Sequence, residues 1–531
     1  MADATIAATS ANEISRNDSE ATTQQSIEAT HNDDLPRRAD RLTLPIVLVL
    51  VVGGLERAAF YAVSTPWQNY MQNHADSRSP PGALGLGQST ATAVSNAYMV
   101  FSSLTPVPFA IVADLWLGRY YTLLLSLSLI AVGCAVQLVS SIPAFVQSVG
   151  LPGLGVTMIL IGLGTGGVKA TFPPFLAEQH QSEELRCAQQ ANGKKVVIDS
   201  RLTLQLIYNV YYAVINLACL SVVPTTLLEK KRGFWAAYTL ATACSLVAVV
   251  FLIGASFRLV KVTPGENILV PAARVLSCAI RNGFNLEKAK SPYQLARHNK
   301  TPLYDDSFVD EVKATVHTCR VLLSFAIFYL CANQMNNNLV SQAGQMQLSG
   351  VPNDMIPVFA SIACVLLAPV LQVLWSFLAR HKITFSAISL IEVSFVLCAV
   401  AIALAAVTQH LIYTSPPCYD RPRTCEPGGK PNRISVWVQI PTYVVAALAE
   451  TIGFVTASEY AYRHSPKNAR SMIQAFSQLA AALGSMLGLA TSPAAQDPWL
   501  VFYYAALAGG MVLAAVIFWW FFRKDRQEQS P

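Results

Sequence analysis

The chain has 531 residues, of which 53% are apolar and only 13% charged. That balance excludes a soluble globular protein and points to an integral membrane protein, whose length suits about twelve spans. The net charge of +6 is read as the Lys and Arg excess that holds loops at one membrane face, not as a nucleic-acid footprint.

Residues 1–40 are rich in Ser, Thr, Asn, Asp, Glu and Gln, with almost no large apolar side chains. Such a stretch cannot bury a core, so a disordered tail is expected. It lacks the apolar core of a signal peptide, which leaves the first span as the insertion signal. Apolar segments then recur at near-regular spacing: 42–68, 91–115, 120–140, 153–172, 206–226 and 233–257, followed by 321–340, 356–378, 383–408, 434–455, 473–490 and 500–522. The expected organisation is all-α: a tail (1–40), a six-helix bundle (41–258), a polar linker (259–320), a second six-helix bundle (321–522) and a short tail (523–531). In the linker, 267–281 reads as an amphipathic helix at the membrane face and 310–320 as a second helix, with a tether between them.

With both termini placed in the cytoplasm, 27 of the 37 Lys and Arg lie inside and 8 outside. That bias orients the chain. Most of the 11 Cys stand singly in apolar runs, as small buried hydrophobes do. Cys418 and Cys425 share an outer loop, where a disulfide and two free thiols are both open readings.

Few ionisable residues fall within the predicted spans: Glu56, Arg57, Lys169, Glu392 and Glu450, with Asp114 at an inner end. A charge at bilayer depth costs roughly 2.5–3.5 kcal/mol, so each should face a cavity or a partner. Neighbouring helix positions point about 100° apart, so Glu56 and Arg57 are expected to seek partners elsewhere and not each other. Lys169, in a glycine-rich run that permits close helix packing, is the expected counter-charge to Glu56. Its alternative is to snorkel to the headgroups, ~9 Å away at helical rise. Glu450 suits a substrate amine; its alternative is a protonated carboxyl hydrogen-bonded between helices. Glu392, among apolar neighbours, reads as structural. Asn216 and the amide run from Asn333 through Gln334 to Asn338 suit either interhelical hydrogen bonds or a cavity lining.

Metal-ligand spacing, Ser/His/Asp or Cys/His pairing at membrane depth, and a GxxxxGK[ST] loop are all missing from the sequence. An enzyme, a bound metal or cofactor and an ATP-driven pump are therefore not expected. Two six-span halves with charges near the midplane read as a secondary transporter.

Several motifs follow one another in order: Glu56-Arg57 with Tyr61; Asp114 to Arg119-Tyr120; Gly164-Thr-Gly-Gly-Val-Lys169; Tyr211-Tyr-Ala-Val-Ile-Asn216; Ile434 to Tyr443 with Glu450; and Glu459-Tyr-Ala-Tyr-Arg-His-Ser-Pro. Together they resemble the proton-dependent oligopeptide transporter (POT) family of the major facilitator superfamily, in its fungal branch, from about residue 42 to 522. The resemblance implies two six-helix bundles around a central cavity. It also implies uptake of di- and tripeptides driven by a proton gradient, in the plasma membrane. Position by position, it makes Glu56, Arg57 and Lys169 the proton-coupling network. Tyr61 and Asn216 become peptide contacts, Glu450 the acceptor of the peptide's amino terminus, and Asp114 and Arg119 an inner-loop latch. Gln334 joins the substrate-binding set from the amide run.

The departures from the family pattern are specific. The first Glu of the family's ExxER motif is Gly53, the basic residue of many bacterial members is Ser64, and the eighth-span Asn-Pro is Ala360-Ser361. Glu56, Arg57, Lys169 and Glu450 sum to zero charge, so proton coupling must run on Glu56, Glu450 or Glu392. Altered coupling and a drifted, peptide-like cargo, moved in either direction, form the second reading. A non-transporting nutrient receptor is the third.

Overall fold

The computed structural model describes residues 37–528 except 78–79, 181–185, 190–194, 265–268, 284, 299–303, 382–384, 423–429 and 464–469. Among the described residues, eleven helical stretches are long and apolar enough to cross a membrane. One of them, Gln88–Ser140, holds 53 residues. At 1.5 Å per residue that is about 80 Å, enough for two crossings of a ~30 Å hydrocarbon core.

The long helices of the first half are α1 (Leu44–Ser64), α2 (Gln88–Leu104), α3 (Gly118–Ser140), α4 (Val146–Glu178), α5 (Ser200–Ala218) and α6 (Phe234–Ala255). In the second half α7 is the broken run Asp306–Gly344. It is followed by α8 (Val358–Arg380), α9 (Ala387–Thr414), α10 (Ile440–Arg463), α11 (Arg470–Thr491) and α12 (Leu500–Glu528).

Each half has its own apolar core. One gathers Ile46, Tyr70, Leu123, Ile161, Phe175 and Tyr238; the other gathers Phe328, Phe395, Tyr443, Tyr504 and Phe518. The halves meet where α2 packs on α11 and α5 on α8.

Local chemistry explains several helix boundaries. Pro45 opens α1 in its first turn, where a missing N–H costs nothing. The Ser386 hydroxyl accepts from the Ser389 N–H at 3.2 Å and caps α9. Between α2 and α3 the chain passes through a wide turn at Ala113–Leu117 and then Gly118 at φ 74°, a left-handed conformation that favours glycine. Helix α7 breaks at its amides: Asn333–Asn336 tightens to a 3-10 turn, and Asn337 takes φ −115°, ψ −93°. Backbone that leaves the helical pattern at this depth needs a cavity or protein partners.

The end of the expected disordered tail is ordered. Arg37–Arg38 (β1) pairs in parallel with Lys195–Ile198 (β3), which pairs antiparallel with Arg186–Gln189 (β2). Residues 1–36 lie outside the described region. The Asp40 N–H donates to Thr203 Oγ1 at 2.9 Å, which ties the entry of α1 to the first turn of α5.

The linker is more than a tether. Leu269–Arg281 is the expected amphipathic helix, and its Leu269, Ala272 and Val275 pack with Val309 and Val312 of α7 and Met472 of α11. Ala110 and Ile111, just beyond α2, lie against the same cluster. The linker therefore touches both halves. Lys290 joins Glu287 (2.9 Å) and Asp310 (2.8 Å) at its surface.

Candidate functional site

Between the halves lies a cavity of about 340 Å³. Its walls come from Phe60, Tyr61 and Ser64 on α1, Ser95 and Tyr98 on α2, the broken segment of α7, Ala360 and Ser361 on α8, and Glu450 and Phe454 on α10. Its size is that of a small-molecule site. The α7 break explains its polarity, because Asn333, Asn336 and Asn337 line it where the helix loses its regular bonds. Asn333 also donates to Ser485 Oγ of α11 at 3.0 Å. Tyr329 stacks on Phe454, with ring centroids 5.0 Å apart, as an aromatic wall.

Glu450 reaches this cavity half-buried. Among the described residues, no donor or cation pairs with its carboxyl. The alternative of a carboxyl hydrogen-bonded between helices therefore finds no partner here. Asp354 also lines the cavity, and among the described residues no Lys or Arg does.

The charged network differs from expectation. Glu56 and Arg57 pair with each other: Arg57 Nε donates to Glu56 Oε2 at 2.5 Å and Nη2 to Oε1 at 2.6 Å. The angular argument from neighbouring helix positions fails because a guanidinium on three methylenes can fold back along its own helix. A bidentate fork rewards that bend. Glu56 is 2% exposed and Arg57 13%, so the pair neutralises itself while buried. Arg57 also sits 5.1 Å over the Phe60 ring. Lys169, on α4, is close enough to feel both charges, but no carboxylate among the described residues is within ion-pair distance of it. None of these three lines the cavity, and neither does Glu392.

Close helix packing brings Lys169 to this depth. A Cβ at Gly166 would collide with Thr105, and one at Gly167 with Ser126. Glycine thus lets α4 approach its neighbours, and Thr105 Oγ1 reaches Gly162 O at 3.0 Å. A Cβ at Gly53 would run into Cζ of Phe172, whose ring stacks on Tyr211 at 4.9 Å.

Two expected binding residues sit elsewhere. Gln334 is fully buried, donates to Leu330 O (2.9 Å) and accepts from Asn338 (2.8 Å). Its amide is spent inside α7, and its neighbours line the cavity instead. Asn216 does not line the cavity; its amide donates to Tyr212 O, one turn back on α5, at 2.9 Å. Tyr61 lies in the cavity wall.

The latch is wider than the sequence motif. Arg119 is 3.9 Å from Asp114 and hydrogen-bonded to Glu178 at the end of α4. Glu178 stands about 1.7 turns beyond Phe172, where the apolar run of the sequence stops, so the motif alone does not point to it.

On the face away from the chain termini, polar bonds tie the halves together. Asn69 and Asn353 exchange amide bonds of 2.9 and 2.8 Å. Gln68 donates to Ser341 Oγ at 3.2 Å, and Thr92 to Asn338 Oδ1 at 2.9 Å. Lys230 donates to Gly350 O at 2.6 Å. Beneath them Cys219, Val222 and Val358 form an apolar collar. This far gate is shut. Cys418, beyond it, is disulfide-bonded, and Cys425 lies outside the described residues.

Comparison with known proteins agrees with this architecture. The chain is 38% identical over 475 residues to the peptide transporter PTR_C of Candidozyma auris, covering 88% of this chain and 82% of that one. It is 35% identical over 474 residues to the probable peptide transporter ptr2 of Schizosaccharomyces pombe, covering 88% and 76%. The crystal structure of the POT family transporter PepTSo superposes with a TM-score of 0.71 at 19% identity, over 92% of this chain and all of that one. This likeness carries the fold alone. Residues 120–507 match the model of the POT family. With the family match, the fungal relatives and the two-bundle fold around a central cavity, this multi-pass membrane protein belongs to the POT family.

Proposed function

We propose that the protein is a proton-coupled importer of small peptides that works by alternating access. The supporting observation is the 340 Å³ cavity between two separately cored halves, with the carboxyl of Glu450, unpartnered among the described residues, in its wall. A buried carboxylate without a partner is costly, and the ammonium terminus of a peptide relieves that cost on binding. Tyr61, Tyr329 and the amides of Asn333, Asn336 and Asn337 are placed to meet a peptide backbone. The relatives' names carry the same reading. In it, the termini lie in the cytoplasm of a cell bounded by the plasma membrane, and the shut gate faces outside.

Proteoliposomes test it through uptake of a labelled dipeptide with and without an inward proton gradient. Gradient-stimulated uptake that collapses with an uncoupler is expected. No uptake by folded protein under either condition overturns the reading.

One observation favours a second reading of the cargo. Glu450 and Asp354 line the cavity with no cation among the described lining residues, so none of these neutralises a peptide's carboxylate. A peptide-like metabolite with a blocked carboxyl group fits such a wall. Faster transport of a dipeptide amide than of the free dipeptide would select this cargo.

A further inference from the structure

At the far gate, Glu229 on Val222–Arg232, the helix that extends α5, faces Asp354 in the turn Asn353–Met355 that enters α8, and these two elements pack together. Each comes from a different half. Glu229 is 2% exposed and Asp354 1%. Asn69 donates to Glu229 Oε1 at 3.4 Å, a long bond. Among the described residues, no donor completes a hydrogen bond to Glu229 Oε2 or to either oxygen of Asp354. Two bare carboxylates cannot share a buried site of this kind, since each raises the cost of ionising the other.

Among the described residues, the surroundings supply no compensating charge. The groups facing the pair are the amides of Asn69 and Asn353 and the phenols of Tyr238 and, behind it, Tyr70. The basic residues that follow Glu229 do not reach in: Lys230 is turned to Gly350 O, and Lys231 and Arg232 are exposed. What the site lacks is one positive charge of minimal size.

We propose that Glu229 and Asp354 form a proton-binding site that locks the far gate, with one proton shared between the two carboxyls while the gate is shut. The proton is taken from water on the far side as the halves close. It leaves to water in the cavity through Asp354, which lines both the gate and the cavity. Without it both groups ionise, repel each other and take up water, and the gate opens. This gives the chain a coupling site independent of the first-helix Glu that Gly53 replaces. It rests on the alternating-access reading above.

The test uses the full chain in lipid nanodiscs without peptide. Spin labels on encoded residues at positions 231 and 349, exposed on opposite halves, report the gate distance from pH 5.5 to 8.5. The expected ratio of open to closed gate rises by up to about tenfold per pH unit, the limit for one linked proton. Glu229→Gln and Asp354→Asn, each neutral and nearly isosteric, should stay shut and lose that slope, while Glu450→Gln keeps it. A flat profile in the unmodified protein overturns the proposal even if neither gate variant folds. So do gate variants that keep the slope, a slope lost in Glu450→Gln, or a gate set by sodium at fixed pH. Because no peptide is present, the two readings fail separately. A pH-driven gate without dipeptide uptake sinks the cargo assignment, and gradient-driven uptake with a flat gate sinks the lock.

Discussion

The ring of Phe172 occupies the space that any side chain at Gly53 would need. Cζ lies inside contact distance of a Cβ built there, and both Cε atoms are at 3.0 Å. The family glutamate therefore cannot simply be restored. Gly53→Glu should destabilise by about 1–3 kcal/mol through overpacking. Combined with Phe172→Ala, which frees the space, the pair should cost at least about 1 kcal/mol less than the sum of the single changes. Thermal unfolding of the four proteins of the cycle measures this coupling.

The Glu56–Arg57 fork predicts an asymmetric mutational pattern. Arg57→Gln leaves a buried carboxylate bare and should cost about 3–5 kcal/mol. Adding Glu56→Gln should recover most of that, because no charge then remains to be paired. Equal losses in the single and double variants, by thermal unfolding in lipid, would mean that Lys169 takes over as the partner.

If Glu450 receives a peptide's amino terminus, removing its charge should abolish discrimination by that terminus. The unmodified protein is expected to prefer a free dipeptide over its N-acetyl analogue by more than about tenfold in competition for uptake, and Glu450→Gln to bring the two within about threefold. A preference unchanged in the variant would place the amine elsewhere in the cavity.

Asp497, in the far-face loop before α12, accepts from the Tyr413 hydroxyl and from Gln345 Nε2 at 3.0 and 3.2 Å. Burial pushes its carboxyl up to about 6, against the opposing effect of these donors. A raised carboxyl stabilises the fold when protonated. This contribution is complete below the ordinary value near 4 and is lost as pH rises through about 6. The melting temperature should therefore fall between pH 4.5 and 7.5, and Asp497→Asn should remove part of that fall. An unchanged slope in the variant would assign the pH dependence to other groups.

Much of the architecture is legible in the residues because bilayer-length apolar runs and glycine-dense stretches speak for themselves. The linker helix Leu269–Arg281 follows from its spacing. What the sequence hides is where long side chains end. The angle between positions 56 and 57 is fixed by the helix, but the reach of an arginine is not. Gln334 and Asn333 are equally polar on paper; only the local unwinding of α7 turns one inward and the other to the cavity. Glu229 and Asp354 stand just past the ends of the apolar runs at 226 and 356, where polarity reads as loop. The structure carries those helices further, so the two acids are buried.

The pairing of β1 with β3 has a mechanical consequence. Residues 37–40 are stitched both to the strand preceding α5 and, through Asp40, to Thr203 within its first turn. Helices α1 and α5 therefore share a yoke at their tail-side ends. Any tilt imposed on one by cargo against Tyr61 is handed to the other, which carries Glu229 at its opposite tip. A force or a charge applied ahead of residue 37 pulls on that yoke directly, which makes the entry to the first span a handle on the gate farthest from it.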